Sequence, residues 1–197
     1  MPTAITFEKS RPIQVIPYQA SWPKEYEETA QDLKSALGDT ARYIDHIGST
    51  SVPNLQAKDV LDIQITVHDL EDPAIQTKLE AAGYTGFSKA YHDEFSGMDP
   101  NSPDLEKRMI REKEGQRRMH IHIREYGRFN QRYPLLFRDY LRASAVTRQT
   151  YGLLKERLAQ LFPESKDGYY FIKDPLMDMI FEGAEHWALH SGWKLRT

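Results

Sequence analysis

Asp45-His46-Ile47-Gly48-Ser49-Thr50-Ser51-Val52-Pro53, followed by Val60-Leu61-Asp62-Ile63-Gln64-Ile65-Thr66-Val67, is the stretch on which the fold turns. The second run alternates cleanly. Leu61, Ile63, Ile65 and Val67 share one face of a strand, and Val60, Asp62, Gln64 and Thr66 share the other. Ahead of it, a strand over Ala41 to Ile47 enters a turn of glycine and hydroxyl residues. Such a turn aims backbone N–H groups at an anion while its hydroxyls donate further hydrogen bonds. Taken alone, Gly48-Ser49-Thr50 is more often an ordinary turn than a ligand site. Asp62 shifts the balance, because a mid-strand carboxylate is disfavoured unless its face meets water or a cleft.

Outward from this pair, Ile13 to Pro17 reads as a short first strand. Ser21-Trp22-Pro23 starts a helix carrying Tyr26, Ala30, Leu33 and Leu37 at helical spacing and stopping near Gly38. A helix from Asp72 to Ala82 follows, and another strand is expected within Tyr84 to Phe95. Ser96 to Arg118 is charged and aperiodic, and reads as a long mobile loop or irregular hairpin. Arg117 to Glu125 alternates again, with Met119, Ile121 and Ile123 opposite His120, His122 and Arg124. The last third reads as helices over Phe129 to Ala143 and Thr147 to Leu161. A third helix is expected to open at Asp174-Pro175, with Leu176, Met179, Ile180, Gly183, Ala184 and Trp187 as its buried stripe. Strands first and helices last predict one α+β domain over 1–197, its C-terminal half helical.

Composition narrows the function. The net charge of −3 supplies no bulk positive field for nucleic acid or anionic membrane. The absence of cysteine removes disulfides, thiolate metal sites and thiol nucleophiles. No apolar run has the length of a signal peptide or a membrane span, so a cytoplasmic location is expected.

Two histidines at i and i+2 on a strand point the same way. If that strand neighbours the one carrying Asp62, then Asp62, His120 and His122 form a carboxylate–imidazole group suited to a divalent cation or to general acid–base work. Lys58, Arg138, Arg142 and Lys155, with Lys173, could neutralise phosphate charge, although each is as simply explained by surface ion pairs.

The run from Asp45 to Ile63 closely resembles the signature of the GrpB-like family. So do Pro17-Tyr18 with Trp22-Pro23, His120-Ile121-His122, Phe137-Arg138-Asp139-Tyr140-Leu141-Arg142, Tyr151 with Leu154-Lys155, and the terminal helix with Ala184 and Trp187. The resemblance implies a branch of the nucleotidyltransferase superfamily: a mixed β-sheet flanked by helices, Gly48 and Ser49 on nucleotide phosphates, and Asp62 as the first metal-binding carboxylate. The second acid of that pattern is replaced by Gln64, and His120 or His122 stands near the place of the third. Imidazole suits Mn²⁺ or Zn²⁺ better than Mg²⁺.

The leading expectation is therefore binding of a nucleoside triphosphate or similar phosphorylated metabolite with a divalent metal, and transfer of a nucleotidyl group. Gly48, Ser49 and Thr50 would cradle phosphate. Asp62, His120 and His122 would hold the cation, and Lys58, Arg138, Arg142 and Lys155 would balance charge. The alternatives are a non-catalytic binding module on the same scaffold, or a metal-assisted hydrolase or ligase using His120 and His122.

Overall fold

The computed structural model describes residues 5–196. Its elements are α1 (Trp22–Leu37), β1 (Tyr43–Ile47), β2 (Leu61–Val67), α2 (Pro73–Ala81), β3 (Tyr91–His92), β4 (Glu106–Ile110), β5 (Met119–Glu125), α3 (Phe129–Ala143), α4 (Ala145–Leu161) and α5 (Lys166–Ser191). The five strands form one mixed sheet in the order β1-β2-β5-β4-β3. β2 and β5 are parallel, and the other neighbours are antiparallel. This is the expected α+β architecture with a nucleotidyltransferase-like sheet. No helix among the described residues is long and apolar enough to cross a membrane.

The alternation of β2 decides which face each half of the chain covers. Leu61, Ile63, Ile65 and Val67 pack with Ile121 and Ile123 of β5 beneath Trp22, Leu33 and Leu37 of α1 and Ile75 and Leu79 of α2, all nearly or fully buried. A second apolar cluster forms within the C-terminal helices. It joins Leu136, Phe137 and Leu141 of α3, Tyr151 of α4 and Phe181, Ala184 and Ala188 of α5 to Val52 and Leu55 after the turn. That helical half contacts the polar face of the sheet, where Gln64 and Thr66 are fully buried. The polar row on β2 is therefore an interior surface, not the solvated side of an open sheet.

The strand expected within Tyr84 to Phe95 is present as the two residues of β3, with a bridge at Thr85 ahead of it. Three other expectations are corrected. Ile13 to Pro17 forms no strand; Ile16 makes one bridge to Ala57. The segment 96–118 contains β4, paired to β5 with Met109 opposite His122. Its alternation was hidden because its inward side chains are charged: Lys107 is buried against Asp93, and Arg108 bonds to Glu71 and the Leu70 carbonyl. Finally, α5 starts at Lys166, where Ser165 accepts from the Gly168 N–H, and Pro175 sits inside it. An internal proline removes one helix hydrogen bond, a cost that tertiary burial on both sides of it overrides here. The buried side of α5 is accordingly Tyr169, Lys173, Phe181, Ala184 and Ala188, while Met179 is exposed. In α4 the apolar spacing of Tyr151, Leu154, Leu158 and Leu161 predicts all four buried, but Leu161 is exposed and Lys155 is buried instead.

Candidate functional site

Parallel pairing of β2 with β5 sets Asp62 opposite His120, Gln64 opposite His122 and Thr66 opposite Arg124. The three pairs form two polar rows on the face beneath the C-terminal helices. His120 Nδ1 lies 3.1 Å from Asp62 Oδ1, and His122 Nε2 lies 3.9 Å from the same oxygen. These side chains keep 29, 23 and 16% of their surface for Asp62, His120 and His122. Mid-sheet residues under a helical layer retain such access only where a cleft reaches them. Burial pushes the Asp62 carboxyl up, but the hydrogen bonds and charge of His120 and His122 outweigh it and hold it well below the usual carboxylate range. Burial, reinforced by Arg124 and Lys107, lowers His122 to about 4. Its Nδ1 is buried without a hydrogen-bond partner among the described residues.

The turn after β1 is built against this group. Gly48 has φ +67°, and a Cβ there would come 2.4 Å from Asp62 Oδ2. The three residues expected to cradle phosphate do not act together. The Thr50 hydroxyl is buried on the other side of the sheet, 2.9 Å from His46 Nε2, where His46 stacks on Tyr26 of α1. Ser51 Oγ donates to the Gly48 carbonyl. Ser49 is the one hydroxyl of the turn without a side-chain partner among the described residues.

Arg138 and Arg142 serve the same turn from α3. Arg138 donates to the His46 carbonyl at 3.0 Å, and Arg142 donates twice to the Ser51 carbonyl, at 3.1 and 2.7 Å. Asp139 holds both guanidiniums and accepts from Trp193 Nε1. In this arrangement the two arginines brace the turn's backbone.

Lys58 and Lys155 do reach the cleft side. Both lie close enough to Asp62 to feel its charge. Lys58 donates to the Tyr170 hydroxyl at 2.5 Å, and Lys155, only 3% exposed, donates to the Gln56 carbonyl.

Gln64 is spent. Its Nε2 donates to the Gln131 carbonyl and its Oε1 accepts from Arg124, both at 2.9 Å. Arg124 also donates to Asp93, which takes Lys107 and Asn130 as well. The place of a two-cation transferase's second carboxylate thus holds a neutral amide whose oxygen is taken by a guanidinium, so these residues do not fit a two-metal site. Among the described residues, no group of three or more His, Asp or Glu side chains is arranged to hold a metal ion. Arg124 was legible as a member of the histidine row. Asp93, which arrives from an irregular segment, carries no signal in the sequence.

A surface cavity of about 560 Å³ lies on the opposite side of the sheet, lined by Glu25, Asp32, Asp59, Arg117 and Met119 among others. It does not include Asp62.

His46 gives a pH test of the turn. Burial, with Arg142 and Arg138 nearby, lowers it to about 4, against an ordinary value of 6.5. Folding therefore excludes a proton that the unfolded chain binds. This contribution to stability is constant above pH 6.5 and is lost as pH falls from 6.5 towards 4, up to about 3 kcal/mol. His122 titrates in the same window. Urea denaturation at stepped pH is expected to show that decline, and His46→Gln should remove roughly half of it. An unchanged slope would place His46 outside the balance.

The family model described as GrpB protein matches residues 12–182. A dephospho-CoA kinase of Mycolicibacterium paratuberculosis is 33% identical over 93% of this chain and 48% of its own length. The UPF0157 protein YqkA of Bacillus subtilis is 32% identical over 90% of this chain and 48% of its own length. The chain spans about half the length of these curated relatives. The crystal structure of conserved protein GrpB from Enterococcus faecalis superposes with a TM-score of 0.70 at 35% identity. It covers 88% of this chain and 99% of that one.

Proposed function

The chain belongs to the GrpB family, and from that premise we propose that it binds a nucleotide or related phosphorylated metabolite in the cleft over Asp62, His120 and His122. The observation that carries this reading is the accessible carboxylate–imidazole row in mid-sheet, met by Lys58 from the loop before β2 and by Lys155 from the helical layer above it. Asp62 accepts a hydrogen bond from a ligand hydroxyl or amine, His120 and His122 add donors or acceptors, and the lysines meet the phosphate. The name of the mycobacterial relatives, dephospho-CoA kinase, supports a phosphorylated metabolite as the ligand class.

Binding without two-cation nucleotidyl transfer is the favoured form of this proposal, because Gln64 is closed by Arg124 and Gln131. A panel of nucleotides and phosphorylated metabolites should raise the melting temperature equally in EDTA and in Mg²⁺ or Mn²⁺. No nucleotide turnover is expected in either medium. By calorimetry, Asp62→Asn should weaken the ligand found by about tenfold, the worth of one hydrogen bond to a charged group. A strict metal requirement would instead return Asp62, His120 and His122 to a cation, and unchanged affinity in the variant would remove Asp62 from the site.

A further inference from the structure

The opening turns of α5 gather more positive charge than their surroundings balance. Tyr170 is the centre. Its ring centroid lies 4.5 Å from Lys58 Nζ, 4.9 Å from Lys173 Nζ and 5.7 Å from Lys166 Nζ. The three ammoniums come from the loop before β2 and from two successive turns of α5. Lys155 adds a fourth from α4, 4.8 Å from the ring centroid of Tyr151. Lys155 and Lys173 are 3% and 9% exposed, an unusual depth for lysine.

Buried ammonium groups are normally paired with carboxylates. Here the pairing is incomplete. Among the described residues, Asp174 accepts from Lys173, while Lys155 donates only to the Gln56 carbonyl and Lys58 only to a phenol oxygen. Glu156, beside Lys155 in sequence, accepts from the Gln56 side chain. Tyrosine faces attract cations but do not neutralise them. The N-terminal end of α5, a helix of 26 residues, adds partial positive charge at the same place. Burial, together with Lys173 and Lys58, lowers Lys155 to about 7, and the charges of Asp62 and Glu156 do not offset it.

We infer that Lys58, Lys155, Lys166 and Lys173, arranged around Tyr170 and Tyr151, form the anion subsite of this cleft and take the diphosphate or triphosphate group of the ligand. The inference rests on the phosphorylated-ligand reading and deepens it. It moves the phosphate from the Gly48-Ser49-Thr50 turn, whose Thr50 faces away and whose arginines are engaged by backbone, to the lysines of α4, of α5 and of the loop before β2. Ammoniums placed around one ring match a chain of linked phosphates better than a single one, because several oxygens can be met at once. The lysines stand between the phosphate and the Asp62 carboxylate, whose charge Lys58 and Lys155 feel, and the uncharged end of the ligand faces Asp62 and His120.

The test is calorimetry of the full chain with pyrophosphate and tripolyphosphate in EDTA, beside the nucleotide ligand found in the panel. Pyrophosphate should bind the wild type. Lys173→Gln and Lys155→Gln should each weaken it by about tenfold or more, the loss of one charge-assisted contact to phosphate. Lys24→Gln, an equal change of charge on exposed α1, should leave it unchanged. Should either buried variant fail to fold, Lys166→Gln at an exposed position should still weaken binding by about threefold. Pyrophosphate and nucleotide affinities equal to wild type in all the lysine variants would overturn the subsite and leave the ligand reading standing. Absence of binding by every phosphate compound to the wild type would overturn the ligand reading itself.

Discussion

Asp93→Ala is expected to destabilise the folded chain by about 3–5 kcal/mol, the range for removing one partner of a buried ion pair. Asp93 is the only carboxylate bonded to both Lys107 and Arg124 among the described residues, and these two cations are 7% and 6% exposed. Alanine would leave two positive groups without a counter-charge and deprive Asn130 of one of its acceptors. Burial pushes the Asp93 carboxyl up, but Arg124 and Lys107 outweigh it and hold it well below the usual range. A depressed carboxylate contributes stability that is fully present above the unfolded value of about 4 and is lost as pH falls below it. The difference between wild type and variant should therefore shrink in strong acid. Urea denaturation at neutral pH and near pH 3 measures both parts. Adding Lys107→Met should recover part of the loss by removing one orphaned cation. A single variant within about 1 kcal/mol of wild type would show that water, not Asp93, balances the cations.

Gly48→Ala should cost about 2–4 kcal/mol and disturb the site at the same time. The backbone at Gly48, φ +67° and ψ −173°, lies in a region open essentially to glycine alone. The added methyl would also meet Asp62: Oδ2 at 2.4 Å, Cβ at 2.8 Å and Cγ at 2.9 Å. Either the turn or the Asp62 side chain must move, and movement of Asp62 breaks its bond to His120. Pairing the change with Asp62→Ala should restore only part of the stability, because Asp62 Cβ would remain too close and the backbone strain would persist. Thermal melting of the two variants separates those contributions. A Gly48→Ala chain as stable as wild type would mean that the turn relaxes freely, and that its glycine is not needed to bring backbone against Asp62.

Much of the framework was legible because it follows from periodicity alone. The alternation of β2 and β5 specified two faces, and the register confirms that Asp62 and His120 are direct neighbours. α1 and α3 are bounded nearly as their apolar spacing and start signals indicate. Local rules failed where charged or helix-breaking residues are compensated at a distance. β4 was invisible because Lys107 is balanced by Asp93, reached only through the tertiary fold. The start of α5 was masked by Pro175, whose local cost is offset by packing of the whole helix. Lys155 and Lys173 were legible as candidates for phosphate charge but not as buried residues, because nothing in a helical sequence announces that its cationic face is turned inward.

The sequence by itself determined the turn-and-strand unit, Gly48 close ahead of a strand bearing Asp62, and a histidine pair able to share its face. A two-residue side-chain period leaves no other arrangement once one face is apolar. Only the tertiary structure decided what that unit can meet. It turned Thr50 away, committed Arg138 and Arg142 to backbone carbonyls, closed Gln64 with Arg124 and brought four lysines around two tyrosines. Those outcomes depend on contacts between segments far apart in the chain, where the balance of burial and charge is settled by three-dimensional packing and not by local propensity. Gly48, without a side chain, is the residue that lets the turn rest against Asp62.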